Sequence, residues 1–117
     1  MSVFDRSVTL ERLGGDAGLL VELAQLYTVT ARQQLESIRA ALGAGNVQDI
    51  YREAHSLKGA TSVFEAPAAV ASLLALESAA KSGTHAEVVP LAASAEALVT
   101  ALIVHLEDPA ALQPADE

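Results

Sequence analysis

His55 lies in the run Ala54-His55-Ser56-Leu57-Lys58-Gly59-Ala60. A lysine follows it by three residues and a glycine by four, spacings that share one face of a helix. That face would carry an imidazole, a cation beside it, and a gap where a side chain should be. A neutral imidazole nitrogen is a nucleophile near neutral pH. A phosphoryl group received there is strongly anionic, and a neighbouring ammonium offsets part of its charge. Glycine inside a helix costs roughly 0.5–1 kcal/mol against alanine, which makes sense where another molecule's reactive group must come close. The chemistry this favours is the carriage of a phosphoryl group. Each residue also has a plainer reading: His55 as a structural or surface histidine, Lys58 as a solvated lysine, Gly59 as a close helix contact.

Other chemistries find little support. His85 and His105 fall near expected helix ends and read as surface residues. No two histidines stand four residues apart and no His-Glu-x-x-His occurs, so no metal site is expected. No phosphate-binding glycine loop or kinase signature is present, so no ATP site of its own is expected and the chain does not read as an enzyme. There is no cysteine, which excludes disulfides and thiolate chemistry. The net charge of −8, with an isoelectric point near 4.7, argues against nucleic acid and against anionic membrane surfaces.

The elements that would hold His55 read as helices throughout. A short helix from about Arg6 to Leu13 stops at Gly14-Gly15, with glycine suited to the left-handed position after a helix. Asp16 caps a long second helix, on which Leu19, Leu20, Leu23, Leu26, Tyr27, Leu35, Ile38 and Leu42 recur at three- and four-residue spacings. Gly43-Ala44-Gly45 ends it. Asn46 caps a third helix with Val47, Ile50, Ala54, Leu57 and Thr61 on one stripe. Pro67 opens a fourth, running to about Ser82. Thr84-His85-Ala86-Glu87 fits the capping-box spacing and opens a fifth, stopped by Asp108-Pro109.

Four long helices joined by short loops predict an all-α, antiparallel up-down-up-down four-helix bundle with the short N-terminal helix laid across it. One domain over residues 1–109 and a disordered tail over residues 110–117 are expected. Hydrophobic residues make up 51% of the chain and aromatics 3%, so the core should be mainly Leu, Val, Ile and Ala. The apolar stretches are interrupted by charge before the roughly 18 residues of a membrane span, and no signal peptide is evident at the N-terminus. A cytoplasmic protein without direct membrane contact is the expectation, and a monomer.

His55 is rotated about 100° from Ala54, at the edge of the inward stripe. Tyr51, Lys58, Gly59 and Ser62 are its helical neighbours, and Tyr51, Gly59 and Ser62 would border any partner docked there. The turn between the third and fourth helices centres near Ala66. Residues equidistant from that centre face each other across an antiparallel pair, which sets Glu77 opposite His55. Glu77 would accept a hydrogen bond from Nδ1–H, fix the tautomer and leave Nε2 free to attack.

The chain resembles the histidine-containing phosphotransfer (HPt) domains. The resemblance rests on Leu13-Gly14-Gly15-Asp16 before an apolar helix, on the motif around His55, and on Leu76-Glu77 with the later Lys81-Ser82-Gly83. It implies that His55 accepts a phosphoryl group at Nε2 from a receiver-domain aspartate, or in some members from a kinase, and passes it on. It further implies that Lys58 stabilises the charge, Gly59 gives clearance, and a side chain at Glu77 orients the ring. The partner is then a receiver domain of a response regulator or hybrid sensor kinase. No cofactor is expected in this chain, and Mg²⁺ would come with the receiver. One departure is Phe64-Glu65-Ala66, where the family carries a turn glycine and this chain has Glu65; a positive φ there would strain the backbone. Two alternatives stay open: a helical adaptor that docks receivers without phosphotransfer, and a module of a hybrid sensor kinase rather than a free-standing protein.

Overall fold

The structure, a computed structural model, describes residues 3–112. The described residues form helices α1 (Arg6–Arg12), α2 (Ala17–Ala44), α3 (Val47–Thr61), α4 (Pro67–Ser82), α5 (His85–Glu107) and α6 (Pro109–Leu112). Helices α2 to α5 are the bundle. Each packs on its neighbour in sequence and α5 closes back on α2, so α3 and α5 stand diagonally across the core. The result is an elongated rod of 49 × 22 × 21 Å.

The helix starts are set by short polar side chains that satisfy otherwise unpaired N–H groups. Asp5 accepts from the Val8 N–H, Asp16 from Leu19 and Asn46 from Asp49, all at 3.0–3.1 Å. Thr84 accepts from the Glu87 N–H at 3.4 Å. α4 has no side-chain cap and relies on Pro67 in its first turn. α2 ends at Gly45 with φ 68°, a left-handed conformation that suits glycine.

The core is made of Leu20, Ile50, Leu57, Leu73, Leu76, Val99, Leu102 and Ile103, all fully buried. Alanines at 24, 31, 54, 69, 92 and 95 fill the spaces between them and let the helix axes approach closely. This corrects the stripe expected on α2. Leu19 and Leu26 face outward, and the inner face runs through Leu20, Ala24, Tyr27, Thr28, Ala31, Leu35, Ile38 and Ala41. Three aromatic rings cluster at one end, with Phe4 edge-on to Phe64 at 6.0 Å and Tyr27 against Phe64 at 5.1 Å.

α5 differs from the sequence expectation. By length and composition it is apolar enough to cross a membrane. Here it buries Val88, Ala92, Ala95, Val99, Leu102, Ile103 and Leu106 within the bundle. Residues 110–112, expected to be disordered, belong to α6. Leu112 is buried and its carbonyl accepts from Arg6 Nε at 3.0 Å. The rest of the expected tail, residues 113–117, lies outside the described residues.

The turn between α3 and α4 accommodates Glu65 without strain: no described non-glycine residue has positive φ. Its backbone is instead held by the N-terminal segment. The Asp5 N–H donates to the Glu65 carbonyl at 2.7 Å, and the Glu65 N–H donates to Thr9 Oγ1 at 2.8 Å. Arg12 adds an ion pair to the Glu65 carboxylate at 2.9 Å.

Candidate functional site

Ile50, Ala54, Leu57 and Thr61 bury one face of α3, and this fixes the rotation of the helix about its axis. A buried hydrogen bond reinforces it. Thr61 Oγ1 donates to the Leu57 carbonyl at 2.7 Å, so its single proton is committed. The Tyr27 hydroxyl, 2.7 Å from Thr61 Oγ1, must then be the donor across the α2–α3 interface. Burial pushes the Tyr27 phenol up to about 12.

With α3 so rotated, His55 comes to the surface. Its side chain is 62% exposed. His55 Nδ1 lies 2.9 Å from Glu77 Oε2 on α4, the pairing expected from the hairpin. Lys58 Nζ lies 2.6 Å from the other carboxylate oxygen, Oε1. Glu77 is thus a bridge, with one oxygen on the imidazole and one on the ammonium. Its carboxyl is held below the usual range, chiefly by the hydrogen bond from Lys58, with His55 adding to the effect and partial burial opposing it. An ionised carboxylate can only accept, so Nδ1 carries a proton, and in the neutral ring Nε2 then keeps its lone pair.

The remaining expected residues surround this group. The Tyr51 ring lies nearly parallel to the His55 ring, 17° apart with centroids at 6.1 Å. Gly59 is exposed, and a Cβ built on it would meet nothing within 4 Å. That rules out a helix–helix contact as the reason for glycine and leaves open space beside His55. Ser62 is exposed too, its hydroxyl donating to the Gly59 carbonyl at 2.7 Å. His85 and His105 are far along the chain from this group: His85 Nε2 contacts the Leu42 carbonyl at 2.8 Å, and His105 lies edge-on to Phe4 at 5.9 Å. No group of three or more residues fit to hold a metal ion occurs among the described residues.

Two further features bear on the site, the first not anticipated and the second an apolar patch of the kind expected beside His55, reaching onto α2. Gln34 Nε2 on α2 donates to Ser56 Oγ at 2.9 Å, immediately after His55 in sequence. Its signal was a polar residue three positions after Ala31 and four before Ile38, on the inward edge of α2. The second is an apolar groove between α2 and α3, lined by Leu23, Leu26, Tyr27, Thr30, Ala60, Val63 and Phe64. It lies just beyond the α3 face that carries His55 and Gly59, with Ala60 on α3 and Val63 and Phe64 in the turn that follows. Leu26 is 65% exposed and Val29 58%, on the same side of α2.

A family model for the Hpt domain matches residues 22–108. The chain belongs to the Hpt domain family. The match spans α2 to α5 and so takes in His55, Lys58, Gly59 and Glu77. This Hpt domain is therefore a phosphotransfer module of two-component phosphorelays, a class that has no kinase site of its own. The crystal structure of histidine-containing phosphotransfer protein B (HptB) from Pseudomonas aeruginosa PAO1 is similar in fold. The TM-score is 0.81, at 23% sequence identity, over 90% of this chain and 91% of that one. No curated protein matches this chain in sequence.

Proposed function

We propose that this Hpt domain accepts a phosphoryl group on His55 Nε2 from the aspartyl phosphate of one receiver domain and passes it to the aspartate of another. The observation that carries the reading is the Nδ1···Glu77 hydrogen bond on a ring whose other edge is open to solvent. The Nε2 lone pair attacks phosphorus, the bond to the aspartate oxygen breaks, and the carboxylate leaves. The imidazole becomes an Nε2-phosphoryl imidazolium that keeps its Nδ1 proton. Its new positive charge faces the Glu77 carboxylate, much as an orienting carboxylate stabilises an imidazolium in other nucleophilic sites. Lys58 adds positive charge to the same site. The receiver brings Mg²⁺ and most of the transition-state stabilisation, in keeping with the positioning and electrostatic character of phosphoryl transfer.

Gly59 gives the incoming receiver room. The groove beside it, with Leu26 and Val63, offers an apolar docking surface, and Tyr51 and Ser62 border it. Such a surface, apolar at its centre and polar at its edge, is what protein recognition uses. The proposed setting is the cytoplasm, where receiver domains and their kinases meet.

The test is transfer from a labelled phospho-receiver to wild type and to His55→Gln. A label on wild type alone, lost in acid and kept in alkali, is the expected result. Binding of receivers with no label on wild type would overturn the reading in favour of a docking adaptor.

A further inference from the structure

We propose that Arg52 binds the phosphoryl group once it is on His55, its guanidinium leaving Asp49 to take two of the phosphoryl oxygens. The inference rests on the reading of His55 as phosphoacceptor and adds a residue to that site.

The helical positions around His55 divide into two sides. At about 100° per residue, Lys58 and Tyr51 turn roughly 40–60° from His55 one way, and Arg52 and Gly59 turn by the same angles the other way. The first side is that of α4, because Lys58 Nζ reaches Glu77 Oε1 at 2.6 Å. His55 Nδ1 also points there, to Glu77 Oε2 at 2.9 Å, so Nε2 lies on the side turned away from that carboxylate. A phosphoryl group on Nε2 therefore comes out on the side of Arg52 and Gly59. Helical side chains lean toward the preceding turn, which carries the His55 ring over the turn that holds Tyr51 and Arg52. The near-parallel Tyr51 ring, 17° from that of His55, marks this lean. No side chain fills the space over Gly59, and Arg52 is the cation that borders it. The other cations near this face are placed elsewhere. Lys58 is bonded to Glu77. Lys81 follows Glu77 by one turn on α4. Arg12 pairs with Glu65 and donates to the Ser62 carbonyl, two turns beyond His55.

The present partner of Arg52 holds it weakly. The ion pair with Asp49 is exposed on both members, 63% and 42%, and such pairs contribute little. Asp49 keeps two other sources of stabilisation when the guanidinium leaves. Asn46 Nδ2 donates to Asp49 Oδ2 at 2.8 Å, and Asp49 lies in the first turn of α3, where the helix dipole favours a carboxylate. The phosphoryl group offers the guanidinium more than Asp49 does. It carries nearly two negative charges, and its oxygens suit two parallel N–H···O bonds from one arginine. The move is short, since side chains three residues apart on a helix start about 5–6 Å from each other.

The experiment reads the phosphoryl group itself, with no receiver present. Phosphoramidate phosphorylates the domain chemically: the Nε2 lone pair attacks phosphorus, the P–N bond of the donor breaks, and ammonia leaves. The ³¹P shift of the product is then followed against pH in wild type, Arg52→Lys and Arg52→Gln, with His55→Gln identifying the His55 resonance. A guanidinium on the phosphoryl group favours its dianion and lowers its second pKa. Arg52→Gln is therefore expected to raise that pKa by about half a unit or more, and Arg52→Lys by less. The melting temperature should stay unchanged, because Arg52 is a surface residue. With a phosphorylated receiver as donor, transfer to Arg52→Gln should slow about fivefold, the loss of a charge-assisted bond to the transferred group.

The same phosphoryl pKa in wild type and Arg52→Gln would overturn the inference. A slower transfer from the receiver beside an unchanged pKa would assign Arg52 to receiver docking, and would overturn it equally. Failure of every receiver to label wild type would instead sink the phosphoacceptor reading, while the titration of the chemically phosphorylated ring would still decide the role of Arg52.

Discussion

His55 Nδ1 and Glu77 Oε2 meet at 2.9 Å although 22 residues separate them. The contact exists because α3 and α4 run antiparallel from a short turn and because each buries a defined stripe. Glu77→Ala removes the acceptor and leaves the ring free to rotate. Transfer to His55 is expected to slow about 10–100-fold, the usual effect of losing an outer carboxylate that orients a functional histidine. Single-turnover transfer measures it, and an unchanged rate would count against the orienting role.

Gly59 allows a test that separates folding from docking. Its added Cβ meets nothing within 4 Å, so Gly59→Ala should stabilise the domain by about 0.5–1 kcal/mol through helix propensity alone. Gly59→Phe projects a ring into the space beside His55. Urea unfolding should find that variant at least as stable as wild type in the helix, while receiver-dependent phosphorylation falls at least tenfold. Equal phosphorylation would show that no partner approaches over Gly59.

Leu26 gives a second handle on docking. It is 65% exposed, and substitutions at such positions usually move stability by less than about 0.5 kcal/mol. Leu26→Glu puts a charge beside the apolar groove. Titration calorimetry with a receiver is expected to show at least tenfold weaker binding with an unchanged melting temperature. A melting temperature that fell with it would place Leu26 in the core instead.

Tyr27 predicts an alkaline limit to stability. Its phenol titrates near 10.0 when unfolded and is pushed up to about 12 when folded. A raised folded value means that the contribution is complete below pH 10 and is lost as pH climbs from 10 towards 12. The loss is on the order of 2–3 kcal/mol, at about 1.4 kcal/mol per unit. Tyr27→Phe lacks this titration and loses one buried hydrogen bond, about 1 kcal/mol near neutral pH. The wild-type advantage in urea midpoint should therefore shrink as pH rises from 9, vanish at about pH 10.7 and reverse by about pH 11.5. A constant difference would contradict the assignment.

Much of this was legible in the sequence because it follows from local rules. The span of α4 from Pro67 to Ser82 is set by a proline at its start and a glycine after its end. The stripe on α3 is marked by Ile50, Leu57 and Thr61 at helical spacing. What escaped depended on the shape of neighbours. On α2 the large leucines suggested one face, but alanines at 24 and 31 face the core because α2 packs closely there, and Leu26 is left outside. Whether Glu65 would strain its turn could not be decided from residue type. The answer lay with Asp5, Thr9 and Arg12, more than fifty residues earlier.

That long-range tie has a mechanical consequence. Asp5 and Thr9 grip the backbone of Glu65 from both sides, and this turn is the pivot from which α3 and α4 extend. Any slack at a pivot is magnified along the arms. His55 and Glu77 sit three helical turns out on those arms, so a small change in pitch at residue 65 becomes a visible gap between Nδ1 and Oε2. Asp5 and Thr9, remote from the phosphoacceptor, are thereby an alignment device for it.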